Sequence, residues 1–472
     1  MLLHHHFAEL GYEFYAHTQI QPLQAQRLVE FNESLAQELG IDFSDEFVQR
    51  QLSGQEAVDG ALSMVYAGHQ FGGFTPRLGD GRGVLLGEVK DNLGVLHDLH
   101  VKGAGKTPFS RQGDGRAVLR SSIREYFASE AMHGLGIPTS RALALYDSTQ
   151  AVYRERPETG AMLIRTAKTH IRFGHFEYFF AHKKYDELQQ LIDYTLDTYF
   201  SHLKEDAQPI QSMLIEIVQR TARMIAKWQS VGFQHGVMNT DNFSILGETI
   251  DYGPYGFMED FNERWICNHS DYEGRYAFHR QPGIGLWNLN CLMFAFSKHF
   301  SREELIEILK HYEPCLQSHY DELMAAKLGL ANTVELEPLL EQLFSLLRKE
   351  HVDFTIFFRF LSLFEADKPE FLMDEVVDRK AMADWLNYYW SVRNDGRDQQ
   401  AVSKQMQRVN PKFILRNYLA HQAIEAAASG NYLPFRQLLK VLSSPYDEHP
   451  ESEALAKRAP DWGRHLEVSC SS

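Results

Sequence analysis

The chain is short of cysteine, short of positive charge and free of long apolar runs, and each shortage excludes something. Four cysteines (Cys267, Cys291, Cys315, Cys470) in 472 residues make no disulfide framework, and none are spaced C-x-x-C. Lysine and arginine number 47 against 63 aspartates and glutamates, a net charge of −16. So acidic a surface does not displace counterions from a nucleic acid, and no nucleic-acid partner is expected. Apolar runs such as residues 292 to 296 fall far short of the ~20 residues that span a bilayer. The opening MLLHHHFAEL lacks the basic end and apolar core of a signal peptide. A cytoplasmic protein with no membrane partner is the expectation. The 22 histidines include no H-E-x-x-H and no finger spacing, and no G-x-S-x-G elbow occurs. There is no internal repeat.

What is present is 44% apolar residue, enough for packed cores, in a length that suggests two or three units at roughly 150 residues each. Residues 64 to 116 carry clustered glycines, with β-type runs at 83 to 89 and 96 to 103 between them. Residues 117 to 133 have helical spacing, and 153 to 167 return to strand character. From about 185 the chain reads as helical, with a stripe Met213, Leu214, Ile217, Val218, Thr221, Met224, Ile225, Trp228. Further helices are expected around 285–298, 302–312, 334–348 and 370–391, then a polar tail with short helices and a surface loop at 443 to 454.

Four stretches could carry chemistry. In "GGFTPRLGDGRGVLLGEV", glycines let backbone N–H groups approach phosphate oxygens, and Arg77 and Arg82 add cations. No Gly-Lys-Ser/Thr opens a helix there, so it is not a Walker loop. In "LHVKGAGKTPFSRQGDGR", Lys102 ends a β-run ahead of a helix carrying Glu125 and Glu130, as the paired lysine and glutamate of kinases do. The Gly-Asp-Gly-Arg of 79 to 82 recurs at 113 to 116, suggesting a phosphate-and-metal environment. "IRTAKTHIRFGHFE" places Arg165 and Arg172 around Lys168 and His170, a basic cluster suited to a polyphosphate.

The fourth stretch is "FQHGVMNTDNFSILGETIDYG", laid out like a kinase catalytic loop followed by its metal-binding Asp. In H-R-D-x-x-x-x-N the Asp two after the His takes the substrate proton, and here that place holds Val237. The end reads as a hairpin turning at Gly247-Glu248, bringing together Asn242 and Asp251, hard oxygen ligands suited to Mg²⁺ or Mn²⁺. Asp241 can reach either a metal or a substrate hydroxyl. Transfer of the γ-phosphate, or nucleotide binding without transfer, both remain open at this point.

"YAGHQFGGFTPRLGDGR", "LHVKGAGKTPFSRQGDGRAVLRSSIREYFASEAM", "IRTAKTHIRFGHFE" and "HGVMNTDNFSILGETIDYGPYGFMEDF" resemble selenoprotein O over nearly the whole chain. The terminal "CSS" matches the cysteine of bacterial members. The resemblance implies an α+β, protein-kinase-like two-lobed fold: a β-rich N-lobe at 1–175, a mainly helical C-lobe at 176–400 and a C-terminal extension at 401–472. It implies transfer of AMP from ATP to Ser, Thr or Tyr of proteins, itself included, with Mg²⁺ or Mn²⁺, the nucleotide lying inverted relative to kinases. Uridylyl transfer with Mn²⁺ is a close variant. The family's nucleotide contacts fall on Gly79, Gly81, Arg82, Lys102, Asp114, Gly115, Arg165 and Arg172, and Asp251 also faces the nucleotide. Glu125 takes the place of the helix glutamate, Asp241 that of the proton acceptor, and Asn242 and Asp251 those of metal ligands. Relatives also join a C-terminal Cys to one in the activation segment, here Cys470 and Cys267. Cys291, in its apolar helix, is expected to be packing.

Overall fold

A computed structural model describes the chain apart from Met1, Ala366, Asp367, His465 and residues 470 to 472. Its first third is built on β1 (Tyr15–His17), β2 (Arg27–Phe31), α1 (Glu33–Glu38), α2 (Glu46–Ser53) and β3 (Leu62–Met64). There follow β4 (Gly68–Gln70), β5 (Gly73–Thr75), β6 (Gly83–Lys90), β7 (Leu96–Lys102), β8 (Ala117–Val118), α3 (Leu119–Gly134), β9 (Arg141–Tyr153) and β10 (Pro157–Ala167). The main sheet runs β1-β3-β6-β7-β10-β9-β2, with β8 beside β10, and its pairings are antiparallel; β4 and β5 form a separate hairpin.

Seven of the eight residues of β6 are buried because both faces of the sheet are covered. Strand alternation sends Val84, Leu86, Met162 and Ile164 into a core with Leu35, Val48 and Leu52 of α1 and α2. Leu85, Leu163 and Leu145 go to the other face, against Ile123 and Phe127 of α3. Each such side chain contributes about 1.5–3 kcal/mol by leaving water.

Beyond β10 the described residues are mainly helical: α4 (Phe173–Ala181), α5 (Tyr185–Tyr199), α6 (Pro209–Ser230) and α7 (Gln281–Ala295), then α8 (Arg302–Leu309), α9 (Tyr312–Leu328), α10 (Leu336–Glu350), α11 (Phe354–Leu361), α12 (Glu370–Met373), α13 (Arg379–Arg393), α14 (Gln399–Gln407), α15 (Asn417–Ala428) and α16 (Leu433–Ser443). Proline in the first turn of α6 sets the helical φ where no N–H partner is needed, and the whole expected stripe on α6 is buried. The helix expected at 370–391 is broken between α12 and α13. No helix among the described residues is long and apolar enough to cross a membrane.

Two expectations need correction. The tail is not a polar appendage: Phe435 of α16 packs 5.5 Å from the ring of Tyr126 and 4.7 Å from that of Phe127, on α3. And no hairpin spans 242 to 251. Asn242 lies in a 3₁₀ turn, Phe243 bridges Thr249 once, and the turn closes from Gly247 N–H to the Ser244 carbonyl. Distant partners outcompete the local ladder: Ile245 N–H donates to Ile171 O, Thr249 N–H to Pro138 O, and Ser140 N–H to Thr249 O. The segment is instead pinched at its base, where β11 (Phe233–Gln234) pairs antiparallel with β12 (Gly256–Phe257).

Candidate active site

Register places the first group of charges. Lys102 lies opposite Leu163 and Gly83, and His100 opposite Arg165, so His100, Lys102 and Arg165 share the sheet face that α3 covers. Glu125 of α3 meets them there. It pairs with Lys102, and its Oε1 accepts from Arg165 Nη1 at 2.9 Å. Burial pushes the Lys102 ammonium pKa down although Glu125 opposes it. Glu130 does otherwise than expected: it grips Arg141 at 2.8 Å and has no part in the site.

Asp251 is where the sheet and the loop meet. Its carboxylate accepts from both Arg165 and Arg172, with Lys102 Nζ at 3.9 Å. Burial alone would raise its pKa, but Arg165, Arg172 and Lys102 outweigh that and hold it well below the usual carboxylate range. The backbone of Asp251 has φ +57, a left-handed conformation that costs a non-glycine residue energy and that clusters at functional sites. Arg172 Nη1 also donates to Asp241 O at 2.7 Å, and its guanidinium lies 4.9 Å over the Tyr66 ring.

Asp241 is buried. Its Oδ2 accepts from Gln70 Nε2 at 3.1 Å, while its Oδ1 has no hydrogen-bond partner among the described residues. Burial raises its pKa to about 6, against the pull of Arg172. Asn242 donates Nδ2–H to Val237 O at 3.0 Å, which orients the amide and leaves its Oδ1 as the atom that can ligate a metal. His235 Nε2 lies 3.0 Å from Ile250 O, tying the two halves of the segment together, and burial lowers its pKa.

Lys102, Arg165, Arg172, Asp241, Asn242 and Asp251 line one cleft of about 710 Å³, together with Gly79, Gly81, Arg82, Asp114 and Gly115. Gly115, at φ +70, could carry no Cβ, which would sit 2.0 Å from Gly105 O. The repeated tetrapeptide is not a pair of metal ligands, as its two aspartates are already committed. Asp80 is buried, taking Met64 N–H at 3.0 Å with His100 Nε2 3.3 Å away, whereas Asp114 is paired with Arg154 at the rim. Nor is the 165–172 cluster uniformly basic: His170 is buried against Asp98, its pKa pushed well down by burial, and Lys168 is exposed. Arg77 is exposed beside Phe109, not in the cleft.

Cys267 is buried, its Sγ 2.9 Å from Pro254 O; Cys470 lies outside the described residues. Gln70, Tyr66 and His100 escaped the reading of the sequence. Period-two alternation from Lys102 would have found His100. Nothing local signals Gln70, whose partner is 171 residues away.

Buried cations, a carboxylate with one oxygen unpartnered among the described residues, and oxygen donors gathered in one cleft suit the handling of a polyphosphate. The proteins this chain matches end to end are nucleotidyltransferases, and the chain is likewise an enzyme that transfers a nucleotidyl group. Protein nucleotidyltransferase YdiU of Marinomonas sp. (strain MWYL1) is 63% identical over 473 residues, covering 100% of both chains. That of Vibrio cholerae serotype O1 is 49% identical, over 99% of this chain and 98% of its own. The model of the family described as protein adenylyltransferase SelO matches residues 2–443, and the chain belongs to that family. Membership implies a nucleotide substrate and a divalent metal. An amide oxygen, a carboxylate held ionised and the orphaned Asp241 Oδ1 are hard donors of the kind Mg²⁺ and Mn²⁺ take.

Proposed function

We propose that the enzyme transfers AMP from ATP to Ser, Thr or Tyr hydroxyls of proteins, itself included, releasing pyrophosphate. The architecture we infer is the two-lobed, protein-kinase-like one: N-lobe 1–175, C-lobe 176–400, C-terminal extension 401–472, with ATP in the cleft between the lobes and inverted relative to kinases. The observation that carries this reading is the convergence of Lys102, Arg165 and Arg172 on Asp251, with Asp241's free carboxylate oxygen in the same cleft.

Arg165 and Arg172 are buried and Lys102 half-buried, and all three converge on Glu125 and Asp251 in a place that water screens poorly. Attack at Pα makes a bond from the acceptor oxygen to phosphorus and breaks the Pα–O bond to pyrophosphate. Charge then grows on the β and γ phosphates, where Lys102, Arg165 and Arg172 stabilise it. Asp241 accepts the acceptor hydroxyl's proton, the role Val237 cannot fill. Asn242 and Asp251 would hold a divalent ion, which would supply neutralisation of the phosphate oxygens. Glu125 keeps Lys102 extended into the cleft, and the arginines now gripping Asp251 turn to the polyphosphate.

Incubation with α-labelled ATP or α-labelled UTP, each with Mg²⁺ or Mn²⁺, tests this. We expect label in protein from ATP, lost in Lys102→Met and Asp251→Asn. Incorporation from UTP alone would replace AMP by UMP as the transferred group, and unchanged labelling in Asp251→Asn would refute the metal assignment.

A further inference from the structure

The β4–β5 hairpin stands between two cavities. Because successive strand residues point to opposite sides, Gln70 serves the nucleotide cleft while His69 lines a second, mostly apolar cavity of about 1050 Å³. In that cavity His69 meets Glu177 of α4 and Cys291 of α7, and the ligand atoms the three offer lie within 4.8 Å of one another. Cys291 is therefore not simple packing in an apolar helix: its thiol sits beside a carboxylate.

Two further observations point to a cation. The Glu177 side chain is 4% exposed, and its Oε2 is buried without a hydrogen-bond partner among the described residues. A buried carboxylate oxygen left unanswered in an apolar surround is costly unless a partner completes it. His69 Nδ1 is 2.5 Å from Glu177 Oε1, which aligns the ring but leaves Oε2 unanswered. His69 is also held in place: its backbone N–H donates to Thr240 Oγ1 at 2.7 Å, and its ring stands edge-on to Trp287 at 5.3 Å.

The geometry points to a second metal site, in which His69, Glu177 and Cys291 hold a zinc-class divalent cation with a fourth position open to the apolar cavity. Sulfur, imidazole and carboxylate together favour zinc or cobalt over the all-oxygen magnesium type. Ligands of one tetrahedral zinc stand about 3.3–3.8 Å apart, so the trio closes modestly and the His–Glu hydrogen bond opens to admit the ion. On binding the ion the Cys291 thiol gives up its proton to solvent and ligates as the thiolate. Bound metal would pin the β4–β5 hairpin to α4 and α7 and thereby fix Gln70 on Asp241. The site rests on none of the residues proposed to handle the nucleotide.

Titration of the full-length protein with Co²⁺ tests it, because a thiolate ligand gives a near-ultraviolet charge-transfer band that oxygen ligands do not. We expect a one-equivalent band that Zn²⁺ displaces. Cys291→Ser should abolish it, and Glu177→Gln should weaken Co²⁺ binding by about 10-fold or more, with far-ultraviolet circular dichroism unchanged. Asp251→Asn should leave the band intact. No band in the native protein at millimolar Co²⁺, or a band that persists in Cys291→Ser, would overturn the assignment.

Discussion

Asp80 and Asp114 occupy the same tetrapeptide and do different work, which is a lesson in what surrounds a residue. Burial pushes the Asp80 pKa up, but His100, Arg172 and the Met64 N–H together bring it down to about 2. A carboxylate depressed in the folded state stabilises above its unfolded pKa of about 3.9, and that stability is lost as pH falls toward 2. Asp80→Asn should therefore lower stability in urea at neutral pH by about 1.5–3 kcal/mol and flatten the acid limb. Equal curves for the two proteins between neutral pH and pH 3 would contradict the assignment. At this scale the sequence was informative wherever chemistry and spacing coincide: Lys102 with Glu125, and Asp241 beside Asn242. It was silent on Gln70 and on the unpartnered oxygen of Glu177, because both depend on residues far off in the chain.

The elements that position the site are short and held by distant contacts. The β4–β5 hairpin lies against the Asp241 turn so closely that a Cβ on Gly68 would sit 2.4 Å from Asp241 Oδ1. Gly68→Ala should displace that carboxylate and reduce kcat by on the order of 10²-fold, with the thermal midpoint little changed. A variant with native kcat would remove Asp241 from the proton-transfer role. Long periodic elements such as β6, α3 and α6 were legible because burial on one or both faces repeats along them. The hairpin expected at 242–251 was not realised, because Ile171 and Pro138 take the N–H groups that a local ladder would have used.

Across the whole molecule, α15 and α16 near the C-terminal end back the helix that carries Glu125. Phe435→Ala should cost about 3–5 kcal/mol and lower the thermal midpoint, with transfer intact below it. Loss of transfer in a fully folded variant would mean that α16 does more than support α3. The tail also reaches the segment around Cys267, where Asn268 bridges Val468 and His269 N–H donates to Val468 O at 2.8 Å. We propose that Cys267 and Cys470 pair under oxidising conditions; non-reducing peptide mapping should find the linked peptides, and finding both thiols unlinked would contradict it. Composition alone could not show this packing, since Phe435 meets Tyr126 and Phe127 about 300 positions earlier in the chain.

The central claim is that this cleft presents the α-phosphate to a protein hydroxyl. Intact-mass spectrometry of the enzyme and an added acceptor protein, after incubation with ATP and Mg²⁺, tests it most directly. The account predicts a gain of one adenylate per modified hydroxyl, absent in Lys102→Met; a gain of phosphate alone would contradict it.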